Sequence, residues 1–261
     1  MSSRNLFPVD PKGLEDIAAQ LLDGTPEPLL PLPADPIQLS PDGFYKFSRA
    51  TLQTALSDNY KRLLREGGYL DIDRISELGI AKSMLKINPN VRRTAQTINY
   101  NLQGNDDAYV TNIDQPDARR LVQALGGKLL TTFLMYKVFI PYLKQEKDRN
   151  PEAAQTLKEM IETKAEWMDD IVLDKTKVKI GSAERILIGL PQKDGRFGRG
   201  DINNFGYPTQ VKKKGEFYYW HPSGTERAAI RDWNSELSLD LDGGPSFALE
   251  GLGVRLAKIF S

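Results

Sequence analysis

Apolar positions along the chain change their period at about residue 170. From Phe47 to Leu64 they recur at helical spacing. Phe47, Ala50, Leu52, Ala55, Leu56, Tyr60, Leu63 and Leu64 make one face, and Gly67-Gly68 stops it. A second helix fits Asp73–Met84, and Asn88-Pro89-Asn90 breaks the chain after it. Segment 91–113 is ambiguous, since VRRTAQTINYNL could be a strand and QGNDDAYVTNI a turn followed by another. Asp114, with Pro116 two residues on, marks the start of a long helix. That helix should carry the apolar run Leu129–Leu143 and kink or end at Pro141. Asn150-Pro151-Glu152 starts another, apolar at Ala154, Leu157, Met160, Ile161 and Trp167 and running to about Asp169.

Beyond it the period becomes two. KVKI and ERILIGL flank Gly181-Ser182, a hairpin signature. GEFYYWHP, LSLDLD, PSFALE and GVRLAKIF read as short strands, and Asp242-Gly243-Gly244 as a second tight turn. Helices followed by strands predict an α+β fold. Its three parts would be a Pro-rich extended arm over residues 1–43, a mainly helical body over 44–170 and an antiparallel β region over 171–261.

The arm holds eight of the sixteen prolines. One short helix fits Gly13–Leu22, and the stretch TPEPLLPLPADPIQLSPDG favours extended or polyproline geometry. Leu29, Leu30, Leu32, Ile37 and Leu39 make it too apolar for a free linker, so it should lie on another surface. Two basic against seven acidic residues give the arm a net charge of −5. Residues 44–111, with ten basic against seven acidic, complement it, on this chain or on a neighbour.

Composition excludes several chemistries. With no cysteine there is no disulfide framework, thiolate metal site or Cys nucleophile. A single histidine, His221, excludes a multi-histidine metal site within one chain. Lysine plus arginine equals aspartate plus glutamate at 35 each, so no global charge drives binding to nucleic acid or lipid. The run Leu129–Leu143 falls short of the ~20 residues that span a bilayer. It also contains Lys137, so no membrane association is expected. The N-terminus lacks the apolar core of a secretory signal, which predicts a cytoplasmic protein or one assembled into a particle made there.

Motifs for catalysis are fragmentary. Ser83-x-x-Lys86 and Ser57-Asp58-Asn59 resemble elements of the penicillin-binding and β-lactamase set. Their order is reversed, however, and no K-T-G follows, Lys175-Thr176-Lys177 being the nearest match. Gly126-Gly127-Lys128 lacks the earlier glycine and the Ser/Thr of a phosphate loop. Asp240-x-Asp242-Gly243 is a fragment of a calcium loop without the remaining ligands. A His221/Ser223 pair would need tertiary positioning that sequence does not reveal. The expectation is therefore no enzyme activity and no cofactor.

The local anomaly is Gly189–Trp233, where eight basic and five acidic residues interleave with eight aromatics. Arg196, Phe197, Arg199, Phe205, Tyr207, Lys212, Lys213, Lys214, Tyr218 and Trp220 are the candidate contact residues. Aromatic and arginine side chains dominate protein–protein hot spots. The five glycines from Gly189 to Gly206 predict a loop that orders only when Phe197, Phe205 and Tyr207 anchor it on another subunit. The function expected is a non-enzymatic structural subunit of a large protein assembly, such as a virus or phage particle, a tail or a contractile machine. It would interact through the arm and the loop as a homo- or hetero-oligomer. The alternative is a single-stranded nucleic-acid-binding subunit of a nucleoprotein complex using residues 193–220, with bases stacked on the aromatics and phosphates on the lysines.

Overall fold

The computed structural model describes residues 43–162, 165–174, 176–186, 189–232, 237–248 and 251–260. The fold is mixed α+β, with two sheets and six α-helices among those residues. The proposed arm lies outside them except for Gly43.

Strand β1 (Phe44–Ser48) leads into helix α1 (Arg49–Ala55) and helix α2 (Asp58–Glu66). Ser48 and Ser57 cap these helices, their hydroxyls accepting from the amides of Thr51 and Tyr60. Ser57 of the Ser-Asp-Asn triplet is thus accounted for as a helix cap. The predicted helix 73–84 is instead a 3-10 turn (Ile72–Arg74) followed by strand β2 (Glu77–Ala81). Gly79 explains the difference, because a Cβ there would sit 2.5 Å from the Phe260 ring, so only glycine admits the neighbouring strand.

Asn88 caps α3 (Pro89–Thr97), which resolves the ambiguous segment as helical at its start. Asp114 caps α4 (Gln115–Ala124). The long helix predicted from Asp114 ends here, because Gly126 takes φ +77° and Gly127 packs under Leu256 and Ala257. Strand β3 (Lys128–Leu129) follows. The apolar run then forms a π-helical segment, Leu134–Phe139, continuous with α5 (Ile140–Glu146). Pro141 follows immediately, yet the helix does not end there but runs on to Glu146, without the backbone bond that an amide at 141 would donate to the preceding turn. Helix α6 spans Pro151–Glu162.

Strand β4 (Ala165–Asp174) is the spine of the second sheet, and the expected break at residue 170 falls inside it. Trp167, read as helical, is a strand residue whose indole donates to the Ile113 carbonyl at 2.8 Å. Strands β5 (Lys177–Ile180) and β6 (Ala183–Ile186) form the predicted hairpin about Gly181-Ser182. Then come β7 (Gly195–Phe197), β8 (Phe217–Trp220), β9 (Arg227–Asp232), β10 (Ser238–Asp240), β11 (Leu252–Gly253) and β12 (Leu256–Phe260).

The larger sheet runs β6-β5-β4-β9-β10-β8-β7, with β11 alongside β4. Most neighbours are antiparallel, but β10 with β8 and β11 with β4 are parallel. The smaller sheet runs β1-β2-β12-β3, all antiparallel. It therefore joins residues 44–129 to residues 256–260, so the helical body carries three strands of a sheet completed from the far end of the described chain.

A buried ion triad ties the two sheets. Glu166 on β4, fully buried, accepts from Arg231 on β9 at 3.0 Å and from Arg255, just before β12, at 2.9 Å on each oxygen. Arg255 also donates to the carbonyls of Ala81 and Lys82 and lies over the Phe139 ring. Burial alone would raise the Glu166 carboxyl, but the two guanidinium groups hold it below its ordinary range. Such a triad specifies how the sheets dock more than it adds net stability.

Candidate interaction surface

The segment from β7 to β8 does not project as a loop. Gly195–Phe197 pairs with Phe217–Tyr219, and the Arg196 and Lys212 backbones exchange hydrogen bonds of 3.0 and 2.7 Å. Between them the chain is tied by two side chains. Asp201, buried, accepts from the Gly198 amide, the Gln210 amide group and the Lys212 ammonium. Burial opposes its ionisation, but Lys212 and the Gly198 amide outweigh this and hold the carboxyl below its ordinary range. Asn203 accepts from the amides of Phe205 and Tyr207 at 2.9 and 3.1 Å. Gly206, at φ +91°, lies so close to Phe133 that a Cβ would be 2.5 Å from its backbone.

These ties correct part of the sequence reading. Phe197 and Tyr207 are fully buried in the chain's own core and cannot anchor it to another subunit. Phe197 packs on Tyr136 and Phe217 with ring centroids 6.1 and 5.2 Å away. Tyr207 inserts its hydroxyl between Asp170 and Thr132, donating to the Asp170 carboxyl at 2.9 Å. Phe205 is half-buried, edge-on to Tyr60. The loop needs no other subunit to order it, because the chain itself supplies both the strand pairing and the apolar groups that hold it.

The basic candidates divide. Lys212 pairs with Asp201, and Arg199 lies 3.3 Å from Glu216, which Lys144 also meets at 3.0 Å. Glu216 is held below its ordinary range because these cations overcome its partial burial. Lys213 and Lys214 are exposed. Arg196 lies over the Tyr218 ring, 6.0 Å from its centroid.

Alternation along β8 decides which aromatics remain outside. Phe217 and Tyr219 face the core, while Tyr218 and Trp220 face outward, half-buried, with ring centroids 4.9 Å apart. Register sets Arg196 beside Tyr218, and Asp240 of β10 beside Trp220. The result is a strip on one sheet face, running Arg196–Tyr218–Trp220–Asp240. The Trp220 indole N–H is buried without a hydrogen-bond partner. Burial and the neighbouring carboxylates of Asp232, Asp242 and Asp194 push the Asp240 carboxyl up to about 6, although the Asp242 amide donates to it.

At the end of β8, His221 Nδ1 meets Asp194 at 2.6 Å, and its backbone amide donates to the same oxygen at 3.0 Å. Burial opposes ionisation of Asp194, but His221 holds it below the usual carboxylate range. Ser223, the residue that sequence had set beside His221, instead donates to Asp242 and accepts from Arg227 at 3.3 Å. The two do not form a nucleophile–base pair.

The pairings of Asp194, Asp240 and Asp242 were not foreseen, nor was the buried Asp170 cluster. For Asp170 and Asp240 the signal available was a carboxylate inside an apolar strand, which demands a partner, whereas Asp194 and Asp242 lie between strands and gave none. Among the described residues no cluster of His, Cys, Asp and Glu has the arrangement of a metal site, and no helix is long and apolar enough to cross a membrane. No protein-family model, curated protein or solved structure matches the chain.

Proposed function

We propose that the protein is a non-enzymatic subunit of a larger protein assembly, of the particle, tail or contractile-machine kind. It meets a protein partner through the strip Arg196–Tyr218–Trp220. The observation that carries this reading is the mounting of a tyrosine and a tryptophan, half-exposed with their rings tilted at 53° and centroids 4.9 Å apart, on a hydrogen-bonded strand with an arginine over the tyrosine ring. Side chains fixed in this way lose little entropy on binding, and Trp, Tyr and Arg are the types that dominate hot spots.

Nucleic-acid binding is the weaker alternative, because Lys212 and Arg199 are already matched by carboxylates. Phosphate contacts would fall mainly to Lys213 and Lys214. Light scattering after size exclusion, with and without nuclease, separates the two. A nuclease-resistant oligomer or co-purified complex that is lost in Trp220→Ala supports the protein surface. Salt-sensitive capture of single-stranded oligonucleotide, weakened in Lys213→Ala/Lys214→Ala, would replace it with the alternative.

A further inference from the structure

The outward strip on β7, β8 and β10 carries opposite charges at its two ends. Arg196 lies over the Tyr218 ring and donates to the Gly215 carbonyl at 3.4 Å. Lys212 pairs with it across a β-bridge, so Lys213 and Lys214, both exposed, follow at this end. At the other end Asp240 accepts from the Asp242 amide at 2.7 Å. After burial itself, the carboxylates of Asp232, Asp242 and Asp194 are what raise its proton affinity, which marks this end as acidic. Arg196, Tyr218, Trp220 and Asp240 are all half-buried, which leaves part of each side chain to meet another surface.

Register makes this arrangement balanced about its centre. Arg196 stands directly beside Tyr218 on one side of β8, and Asp240 directly beside Trp220 on the other. Neighbouring strands are ~4.8 Å apart and two residues advance ~7 Å along a strand. The two charged positions are therefore offset equally, in opposite directions, from the midpoint of the aromatic pair. A two-fold axis lying in the sheet face through that midpoint turns the strip end for end. It sets Arg196 against Asp240 of the partner subunit, Asp240 against Arg196 of the partner subunit, and the four rings between them. A patch that matches itself in this way meets the condition for an isologous contact.

Building on the reading of the strip as a protein-binding surface, we infer that its partner is a second copy of the chain, held across this two-fold axis by two Arg196–Asp240 pairs around a shared Tyr218–Trp220 cluster. Charge complementarity selects this occupant, because a second copy brings the matching pattern in the matching spacing. The opposite alignment would set arginine against arginine and aspartate against aspartate, a like-charge juxtaposition that suppresses it. A stable interface buries about 800 Å² per partner. Four half-buried side chains supply less than that, so the flanking lysines and aspartates join the contact. The dimer is accordingly weak, with a dissociation constant on the order of micromolar.

The test is a charge exchange in the full-length protein at pH 8, where Asp240 is ionised. Light scattering after size exclusion should show the parent passing from monomer to dimer as its concentration rises through the micromolar range. Arg196→Glu and Asp240→Lys each set like charges together at both ends, and each alone should raise the dissociation constant about tenfold or more. Mixed one to one, the two variants should recover a dimer containing one of each, identified by native mass spectrometry. In that dimer the new glutamate faces the new lysine while the native Asp240 and Arg196 face each other. If Asp240→Lys does not fold, Asp240→Asn keeps an acceptor for the Asp242 amide and should still weaken the dimer severalfold. A monomeric parent, a dimer indifferent to these variants, or a mixture that stays monomeric would overturn the proposal. Trp220→Ala separates that result from failure of the strip itself. A complex with another chain that is lost in Trp220→Ala leaves the surface standing with a different partner, whereas a complex that survives it removes both readings.

Discussion

Replacing Asp170 by asparagine should remove most of a pH dependence of stability. Asp170 is fully buried on β4; one oxygen accepts from the Tyr207 hydroxyl and the Thr132 amide, and the other has no partner. Burial, reinforced by neighbouring Asp169, pushes its carboxyl from 3.8 up to about 7 despite those hydrogen bonds. The folded chain therefore holds a proton that the unfolded chain has already released. Asp170 carries no penalty below about pH 4; stability falls as pH rises from there through about 7, and the loss is complete above it. The full span is on the order of 4 kcal/mol. In Asp170→Asn the carboxamide oxygen can still accept from Tyr207 and Thr132. Its unmatched N–H groups cost about 1–3 kcal/mol, so the variant should be slightly less stable than the parent at pH 4.5 and more stable at pH 8. Urea unfolding from pH 4.5 to 8.5 measures this directly. Parallel curves for parent and variant across that range would mean that Asp170 ionises alike in both states, and the burial argument would fail.

Glu166→Ala should destabilise the fold by about 3–5 kcal/mol, since it leaves two buried guanidinium groups without their carboxylate; thermal unfolding checks it. Gly206→Ala, strained in its left-handed conformation and set against the Phe133 backbone, should cost more than about 1 kcal/mol, read as a lower urea midpoint with unchanged slope. Trypsin should spare Arg196 and Arg199 in the isolated chain, whereas Asp201→Ala, which removes the acceptor for Gly198, Gln210 and Lys212, should open cleavage at Arg199; mass spectrometry of limited digests distinguishes the two.

Helix starts were legible because a cap is a local device. Asp114 and Asn150 announce themselves by one side chain and the proline beside it. The β5–β6 hairpin was legible for the same reason, through Gly181-Ser182. What escaped were elements decided by distant neighbours. Glu77–Ala81 carries a helical-looking pattern, yet it is a strand because β1 and β12 flank it. The aromatic candidates were found as a group, but their division into core and surface was not. Strict alternation separates Tyr218 and Trp220 from Phe217 and Tyr219, and that rule was available in the sequence. Burial of Phe197 and Tyr207 depends instead on Tyr136 and Asp170, which no local pattern connects to them.

The position of β12 has a kinetic consequence. It lies inside the smaller sheet, between β2 and β3, and its register with Glu77–Ile80 joins residues about 180 apart in the chain. Residues 44–129 therefore cannot complete their own sheet however early they emerge during synthesis. High contact order of this kind slows folding, because loop closure must precede the contacts that reward it. Until Leu256–Phe260 arrives, β2 keeps an unpaired edge beside an aliphatic core, an invitation to aggregation or to a chaperone. The same topology removes any early-folding subunit from the described fold, so the two sheets should form and melt together.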